Sequence, residues 1–482
     1  MPATTLPVDM QAWIEKTTQS IVTSANRQAG GGRNEGWLVE LAGPDDHERV
    51  FLRWDRSDPA ATGDPWTVRR EAEVYRALDA SAVPTARFVA VHPTEQALLL
   101  GVVEGDGRFG MVRDPERAIA IAQDFMLRLA DLHGLDAVEL GLSGPGESIG
   151  DHVHRQLDEM DALIAFRGGV PTAELSIALR WLRANIPAYE GRPVVVQGDT
   201  GPGNFMFHGD RVAAIVDWEL AHPGDPMDDL AWVSLRSTQE PFPDLPERFS
   251  EYERASGNRI DLDRIRYYRV LAEAKIATMG HGRGGETRPA GPGDTENEGG
   301  TDRVGGAGGG DVGAQLIFGQ LHRRLLVESL SAAMRVEFDM SPSESAHEDD
   351  DPTYDWHGLY GVALDQLRDV IVPRIEDGFA VQRTKGLARL IRYLEAVDRH
   401  GRTYARAELT DLESILGTPV ERISWGRRQL SIGVRDGTIA ETDALRVVGR
   451  RVGRDEELLR ASSGAMAGRH YDPLTRFERP QT

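Results

Sequence analysis

Residues 194–219 read VVVQGDTGPGNFMFHGDRVAAIVDWE, and the fold is decided there. Val194, Val195 and Val196 form a short β-branched run, the composition of a buried strand. Gly198, Gly201, Pro202 and Gly203 keep the following segment tight and non-helical. Phe205 and Phe207 then alternate with Met206 and His208, the two-residue period of a second strand. His208-Gly209-Asp210 reads as a turn, and residues 212–216 as the returning strand of a hairpin. Asp199 stands five positions before Asn204, and Asp217 closes the returning strand thirteen positions after that Asn. A hairpin joins the ends of its two strands, so Asn204 and Asp217 are expected to converge on one point.

An Asp, an Asn five residues on and then a strand-end Asp is the order that protein kinases use for phosphoryl transfer. That chemistry needs a carboxylate aimed at the attacking hydroxyl and hard oxygen ligands for Mg²⁺. Taken singly, either Asp reads as a turn or strand-end residue; the ordered set, with Trp218 and Glu219 following, is more demanding. QGDTGPGN, IVDWE and GDPMDDLAW together resemble the pattern of the aminoglycoside phosphotransferase family. That family also contains choline kinase-like and acyl-CoA-dehydrogenase-linked hydroxyacyl kinase relatives. The resemblance implies an α+β, two-lobed protein-kinase-like fold, with a small antiparallel β lobe and a mainly helical large lobe. It implies transfer of a nucleotide γ-phosphate to a small-molecule hydroxyl. Carried over, Asp199 is the catalytic base or hydroxyl-orienting carboxylate, and Asn204 and Asp217 are the magnesium ligands of the catalytic site. Asp229 braces the catalytic loop, a role compatible with its alternative reading as a helix N-cap. Gln197 stands where the family usually has His, and that position is a scaffold, so Gln197 is expected to hydrogen-bond backbone.

A small lobe should precede this segment. The cluster GGGRNEGWLVEL at 30–41 places Gly31 and Gly32 before an alternating strand, and glycines let backbone amides approach phosphate oxygens. A second strand follows at 50–54. By the resemblance, Arg53 aligns with the lysine that pairs nucleotide phosphates, and an arginine offers a fixed charge and a bidentate fork for them. The alternative is surface pairing. Val68, Ala72, Tyr75 and Leu78 line one face of a helix. Glu71 on that helix matches the glutamate that pairs with the strand cation, so an Arg53–Glu71 ion pair is expected. Residues 97–103 read as the last small-lobe strand and the hinge, whose backbone near Val102 would meet the nucleotide base. Backbone contacts do not separate ATP from GTP. Asp114-Pro115 begins the large lobe as an N-cap with Pro at the first helical position. His133, at the end of the helix that follows, reads as a packed or capping histidine. Residues 175–186, 244–256 and 262–279 read as further helices.

Composition narrows the class. The chain of 482 residues is long enough for two or three domains. It has no cysteine, which excludes disulfides and thiolate chemistry and deprives zinc of its softest ligand. Net charge is −22, from 77 acids against 55 bases, which argues against nucleic-acid binding. No apolar run reaches the ~20 residues of a membrane span. The first residues, MPATTLPVDMQAW, lack the basic and apolar regions of a signal peptide, so a cytoplasmic location is expected.

Residues 283–312 hold eleven glycines and almost no large apolar side chain, so a disordered insert is expected. A leucine stripe resumes over 315–338. It reads as a large-lobe helix, or alternatively as the start of the next domain. The expected organisation is a small lobe at 1–105 and a large lobe at 106–338. An acidic linker at 339–352, a helical accessory domain at 353–460 and a loose tail at 461–482 follow. In the accessory domain Gly401 is expected to stop one helix before a shorter one at 410–416. This domain resembles an uncharacterised one found beside some phosphotransferases of this type. Its expected work is docking, covering the acceptor site, or homo-oligomerisation. The sequence therefore predicts a Mg²⁺- and ATP-using phosphotransferase, with GTP possible. Its partner would be a small-molecule hydroxyl acceptor, with neither nucleic acid nor membrane. A hydroxyacyl metabolite is favoured and an aminoglycoside or macrolide comes next. Gln197 and Arg53, two departures in one site, motivate the rival reading of a nucleotide-binding pseudokinase-like module.

Overall fold

The computed structural model describes residues 5–28, 34–43, 47–282, 312–341 and 358–477. In chain order the elements are α1 (Val8–Thr18), β1 (Ile21–Arg27), β2 (Glu35–Ala42), β3 (His47–Asp55), α2 (Pro59–Thr62), α3 (Val68–Leu78), β4 (Phe88–Val91) and β5 (Gln96–Gly101). There follow α4 (Pro115–Gly134), α5 (Ile149–Arg167), α6 (Ala173–Ala184), β6 (Val194–Val196), β7 (Phe205–His208), β8 (Arg211–Ile215) and β9 (His222–Gly224). The remaining helices are α7 (Pro226–Gln239), α8 (Leu245–Ser256), α9 (Leu262–Gly280), α10 (Val312–Met334), α11 (Gly358–Asp365), α12 (Gly378–Leu416), α13 (Ile423–Arg435) and α14 (Glu441–Ser463). The class is α+β, as expected. No helix among the described residues is long and apolar enough to cross a membrane.

The chain forms two compact units: Met1–Phe166 with Ile186–Ala272 and Tyr471–Thr482, and Arg167–Asn185 with Glu273–His470. In the first, five antiparallel strands lie in the order β1-β2-β3-β5-β4. Alternation sends Trp37, Val39 and Leu41 of β2 and Val50, Leu52 and Trp54 of β3 to one face, where they pack with Met10 and Ile14 of α1. Arg53, between Leu52 and Trp54, is thereby turned to the other face of the sheet. Thr67 caps α3 by accepting the Arg70 amide at 3.2 Å, and Val68, Ala72, Tyr75 and Leu78 are buried along it as read. Glu71 is buried on the same helix.

The β7–β8 hairpin is anchored by an aromatic cluster. Phe205 stacks on Phe125 of α4 at 4.5 Å between ring centroids, and Phe109 meets both Phe205 and Phe207 edge-on. The segment after β5 is laced to the hairpin by reciprocal Asp106–Phe207 backbone bonds of 2.9 and 3.0 Å.

The second unit is helical. Leu321, Leu325, Leu326 and Leu330 of α10 are buried. Gln320 Nε2 donates to the Val452 carbonyl at 3.0 Å, tying α10 to α14. The leucine stripe assigned by sequence to the large lobe thus groups with the accessory helices, the alternative that the sequence left open. Glu408 of α12 holds Arg427 of α13, and Asp411 of α12 holds Arg450 and Arg454 of α14.

Two expectations fail. Gly401 does not stop a helix: α12 runs 39 residues straight through it. A glycine ends a helix by adopting a left-handed φ, and Gly401 does not. Its cost of about 1 kcal/mol in a helix interior is small beside the burial of Tyr404 and Leu412 on the same helix. Nor is the described part of the tail loose. The Arg269 guanidinium lies 4.3 Å from the Tyr471 ring centroid, and Phe477 packs on Phe249. The glycine-rich insert at 283–311 and the acidic linker from 342 onward lie outside the described residues.

Candidate active site

The loop between β6 and β7 is held from beneath by one buried carboxylate. Asp229 Oδ2 accepts the Gln197 amide and His133 Nε2, each at 2.9 Å. Its Oδ1 accepts the Gly198 amide at 2.9 Å and the Thr200 hydroxyl. The bracing expected of Asp229 is therefore present, while the N-cap of α7 is a different residue, Asp225, which accepts the Met227 amide. His133 is buried as expected, with Nδ1 2.7 Å from the Tyr252 hydroxyl. Burial alone would raise the pKa of Asp229. His133, Thr200 and the Gly198 amide outweigh it and hold the carboxyl below its ordinary value.

Gln197 lies above this brace, and its side chain bonds backbone as predicted. Oε1 accepts the Asp199 amide at 2.9 Å, and Nε2 donates to the Asp217 carbonyl at 2.7 Å and the Val216 carbonyl at 3.1 Å. One amide side chain thus ties together the backbones that carry both candidate acids. The tie matters because Asp217 has φ +63°, a left-handed conformation that is strained for a non-glycine residue.

The hairpin brings Asn204 and Asp217 to neighbouring strand ends, where the Val216 amide donates to the Asn204 carbonyl at 3.0 Å. Asn204 Nδ2 donates to Asp199 Oδ2 at 2.6 Å and to the Asp199 carbonyl at 2.8 Å, so Oδ1 is its atom left for a cation. Asp217 Oδ1 lies 2.9 Å from Arg53 Nη2. Arg53 also meets Glu71 Oε2 through Nε at 2.8 Å, the expected ion pair, and Glu219 Oε2 through Nη2 at 2.7 Å. Burial disfavours the Arg53 charge, yet Glu71, Asp217 and Glu219 outweigh burial and raise its pKa. Burial is also what raises the pKa of Glu71, against the pull of Arg53.

Residues 27–268, half of the chain, match the phosphotransferase enzyme family. The chain belongs to this family.

Among curated proteins, this phosphotransferase is 30% identical over 225 residues to "Probable acyl-CoA dehydrogenase IBR3" of Arabidopsis thaliana, covering 42% of this chain and 27% of that protein. It is 31% identical over 159 residues to acyl-CoA dehydrogenase family member 11 of Rattus norvegicus, covering 33% of this chain and 19% of that protein. The chain therefore spans about a quarter or less of the length of these relatives. Among solved structures, macrolide 2'-phosphotransferase type I aligns with a TM-score of 0.42 at 20% identity, over 58% of this chain and 93% of that one. Macrolide 2'-phosphotransferase MphH of Brachybacterium faecium aligns with a TM-score of 0.40 at 17% identity, over 57% and 92%.

In the phosphotransferase the loop rim gathers carboxylates around two guanidinium groups. Among the described residues, Arg53 meets Glu71, Asp217 and Glu219, and Arg236 meets Asp199. Asn204 Oδ1 and the Asp217 carboxylate, whose Oδ1 Arg53 engages, are hard oxygen donors and fit Mg²⁺. Among the described residues no three His, Asp or Glu side chains form a cage by themselves. Burial raises the Asp199 carboxyl to about 6, with Asp217 adding to the rise and Arg236 and Asn204 opposing it.

Of the other residues read from sequence, Val102 directly follows β5 at the start of the segment laced to the hairpin. Gly31 and Gly32 lie outside the described residues, between β1 and β2. Two site residues escaped the sequence reading. Glu219 was quoted with Asp217 but given no role. Arg236 comes from α7, with Nη2 3.1 Å from Asp199 Oδ2.

Proposed function

We propose that this phosphotransferase moves the γ-phosphoryl group of ATP to the hydroxyl of a small molecule, with Asp199 orienting the hydroxyl and taking its proton. The observation that carries this reading is the division of labour on Asp199. Oδ2 is engaged by Asn204 and Arg236, and among the described residues no hydrogen bond falls on Oδ1. One oxygen is thus pinned and the other is left for a hydroxyl. The pinned carboxylate sets the direction of attack, which a loose transition state needs more than a strong base. Asn204 Oδ1 and Asp217 would hold Mg²⁺, which when bound supplies compensation for the negative charge of the polyphosphate. Arg53 would exchange Asp217 and Glu219 for phosphate oxygens while Glu71 keeps its side chain extended. The backbone near Val102 would receive the nucleotide base.

For the acceptor we propose a hydroxyacyl metabolite ahead of an aminoglycoside or macrolide. The support is the naming of the curated relatives as acyl-CoA dehydrogenases, together with the DWELAHPGDPMDDLAW segment. The test is a screen of hydroxyacyl compounds and antibiotics with ATP and GTP, with and without Mg²⁺, read by mass spectrometry. A product heavier by one phosphoryl group is expected with ATP and Mg²⁺, and its absence with Asp199→Asn. ATP binding without transfer to any acceptor or to water would overturn this reading in favour of a nucleotide-binding module.

A further inference from the structure

Arg236 has no place in the sequence pattern, yet it meets the carboxylate on which the reaction depends. It stands in the last turn of α7, and its Nη2 lies 3.1 Å from Asp199 Oδ2. The side chain is 20% exposed, neither sealed in the core nor free on the surface. Its Nε is buried and, among the described residues, has no hydrogen-bond partner. A guanidinium presents its donors in a planar fork, and one edge that engages a carboxylate leaves the remaining donors for a second anion.

The loop is shaped around this arginine. Gly201 has φ +139°, and a Cβ built on it would lie 2.9 Å from Arg236 Cβ and 3.3 Å from Cγ. Gly203, at φ +93°, passes 3.7 Å from Arg236 Nη2 by the same measure. Both glycines hold a positive φ that a side chain would strain, and at Gly201 a Cβ would also crowd the arginine stem. A stem threaded past two glycines toward a carboxylate is a larger commitment than a surface ion pair, which contributes little to stability.

We propose that Arg236 is a catalytic residue of the phosphoryl transfer, its guanidinium spanning Asp199 and the transferring γ-phosphoryl group. The inference rests on the reading of Asp199 given above. In the step, the acceptor oxygen forms a bond to the γ-phosphorus, and the bond from that phosphorus to the β–γ bridging oxygen breaks. The electron pair leaves with the nucleoside diphosphate, and the hydroxyl proton passes to Asp199 Oδ1. Arg236 makes and breaks no covalent bond. Its fork balances charge on the equatorial oxygens and keeps Asp199 Oδ2 from turning into the path of attack.

The probe is Mg²⁺-ADP with and without aluminium fluoride, a planar mimic of the transferring phosphoryl group, measured by calorimetry on the full chain. Wild type is expected to bind ADP more tightly when the fluoride is present. Arg236→Met should bind Mg²⁺-ADP within about threefold of wild type yet lose at least about thirtyfold of the fluoride-dependent tightening. Arg236→Lys, which keeps a charge and a long stem, should recover part of it and carries the test if the Met variant does not fold. A full tightening in Arg236→Met would overturn the proposal and leave the phosphotransferase reading standing. A uniform loss of ADP affinity with the tightening ratio unchanged would overturn it too, because a merely structural arginine behaves that way. Failure of wild type to bind Mg²⁺-ADP would overturn the reading of the site itself.

Discussion

One aspartate sits in the loop between β6 and β7 and another braces that loop from α7, and the two are held in opposite ways. Asp229 is fully buried and accepts four hydrogen bonds, from two backbone amides, an imidazole and a hydroxyl. Its carboxyl is held below the ordinary value. Asp199 is 23% exposed and has its contacts gathered on one oxygen, and its carboxyl is pushed up to about 6. Saturation converts a buried charge into a strut, because every lone pair is answered and nothing remains to react. Incomplete saturation leaves a charge that burial penalises and that a substrate hydroxyl can relieve. On the proposed function the same residue type is scaffold in one place and reagent in the other, and the count of answered lone pairs is what would tell them apart.

The largest effect that would break this comparison is on turnover. Asp199→Asn keeps the size of the side chain but cannot accept a proton. We expect at least a thousandfold loss in phosphoryl transfer, about 4 kcal/mol of barrier, with ATP affinity nearly unchanged. Steady-state kinetics with the acceptor found by screening, alongside calorimetric ATP binding, measures both. Transfer within tenfold of wild type would put Asp199 on the scaffold side. The complementary change, Asp229→Ala, should act on stability. It leaves the Gln197 and Gly198 amides and His133 Nε2 without their acceptor, and Thr200 with Gln197 Oε1 alone. Breaking such a buried charged hub costs about 3 to 5 kcal/mol. Urea denaturation should show this as a lowered midpoint, and a loss below 1 kcal/mol would mean that the brace is dispensable.

The contrast was half legible in the sequence. Asp199, Asn204 and Asp217 could be picked out because their order is the kinase one and strand period and turn residues place them, and the Arg53–Glu71 pair because both residues match the pattern of the family that the chain resembles. Arg236 could not be read that way. Its stem passes the loop where Gly201 lacks a Cβ, and clearance between a loop and a helix leaves no periodic trace. The first two elements were missed for a similar reason. Pro7 gives α1 no side-chain cap, and only Met10 and Ile14 are buried on it. No residue of β1 is fully buried, so this edge strand lacks the alternation that reveals a strand.

Between scaffold and reagent stands Gln197, and removing it sharpens the boundary. Gln197→Ala frees the Asp199 amide and releases the Asp217 carbonyl from its 2.7 Å bond. The strained φ of Asp217 then loses one of its restraints. Stability should fall by about 1 to 2 kcal/mol, and turnover by about tenfold to a hundredfold through misplacement of both acids. A variant equal to wild type in both would show that the backbone strain at Asp217 is maintained elsewhere.

The smallest expected effect is also the most direct reading of the reagent side. A carboxylate accepts a proton only when ionised, so transfer should fall about tenfold per pH unit below about 6 and level off above it. Stability should move in the opposite sense. The Asp199 carboxyl titrates higher in the folded chain than the ordinary 3.8, so the folded state favours its protonated form. The stability this contributes is present below pH 4 and is lost as the pH rises through 6. Asp199→Asn removes that loss. The variant should gain on wild type between pH 4 and 7.5, reaching an advantage of about 1 to 2 kcal/mol in denaturation midpoints converted to free energy. Asp225, which also titrates near 6, is common to both chains and cancels in the difference. A constant difference across that range would mean that Asp199 is as fully answered as Asp229, and the distinction between strut and reagent would fall.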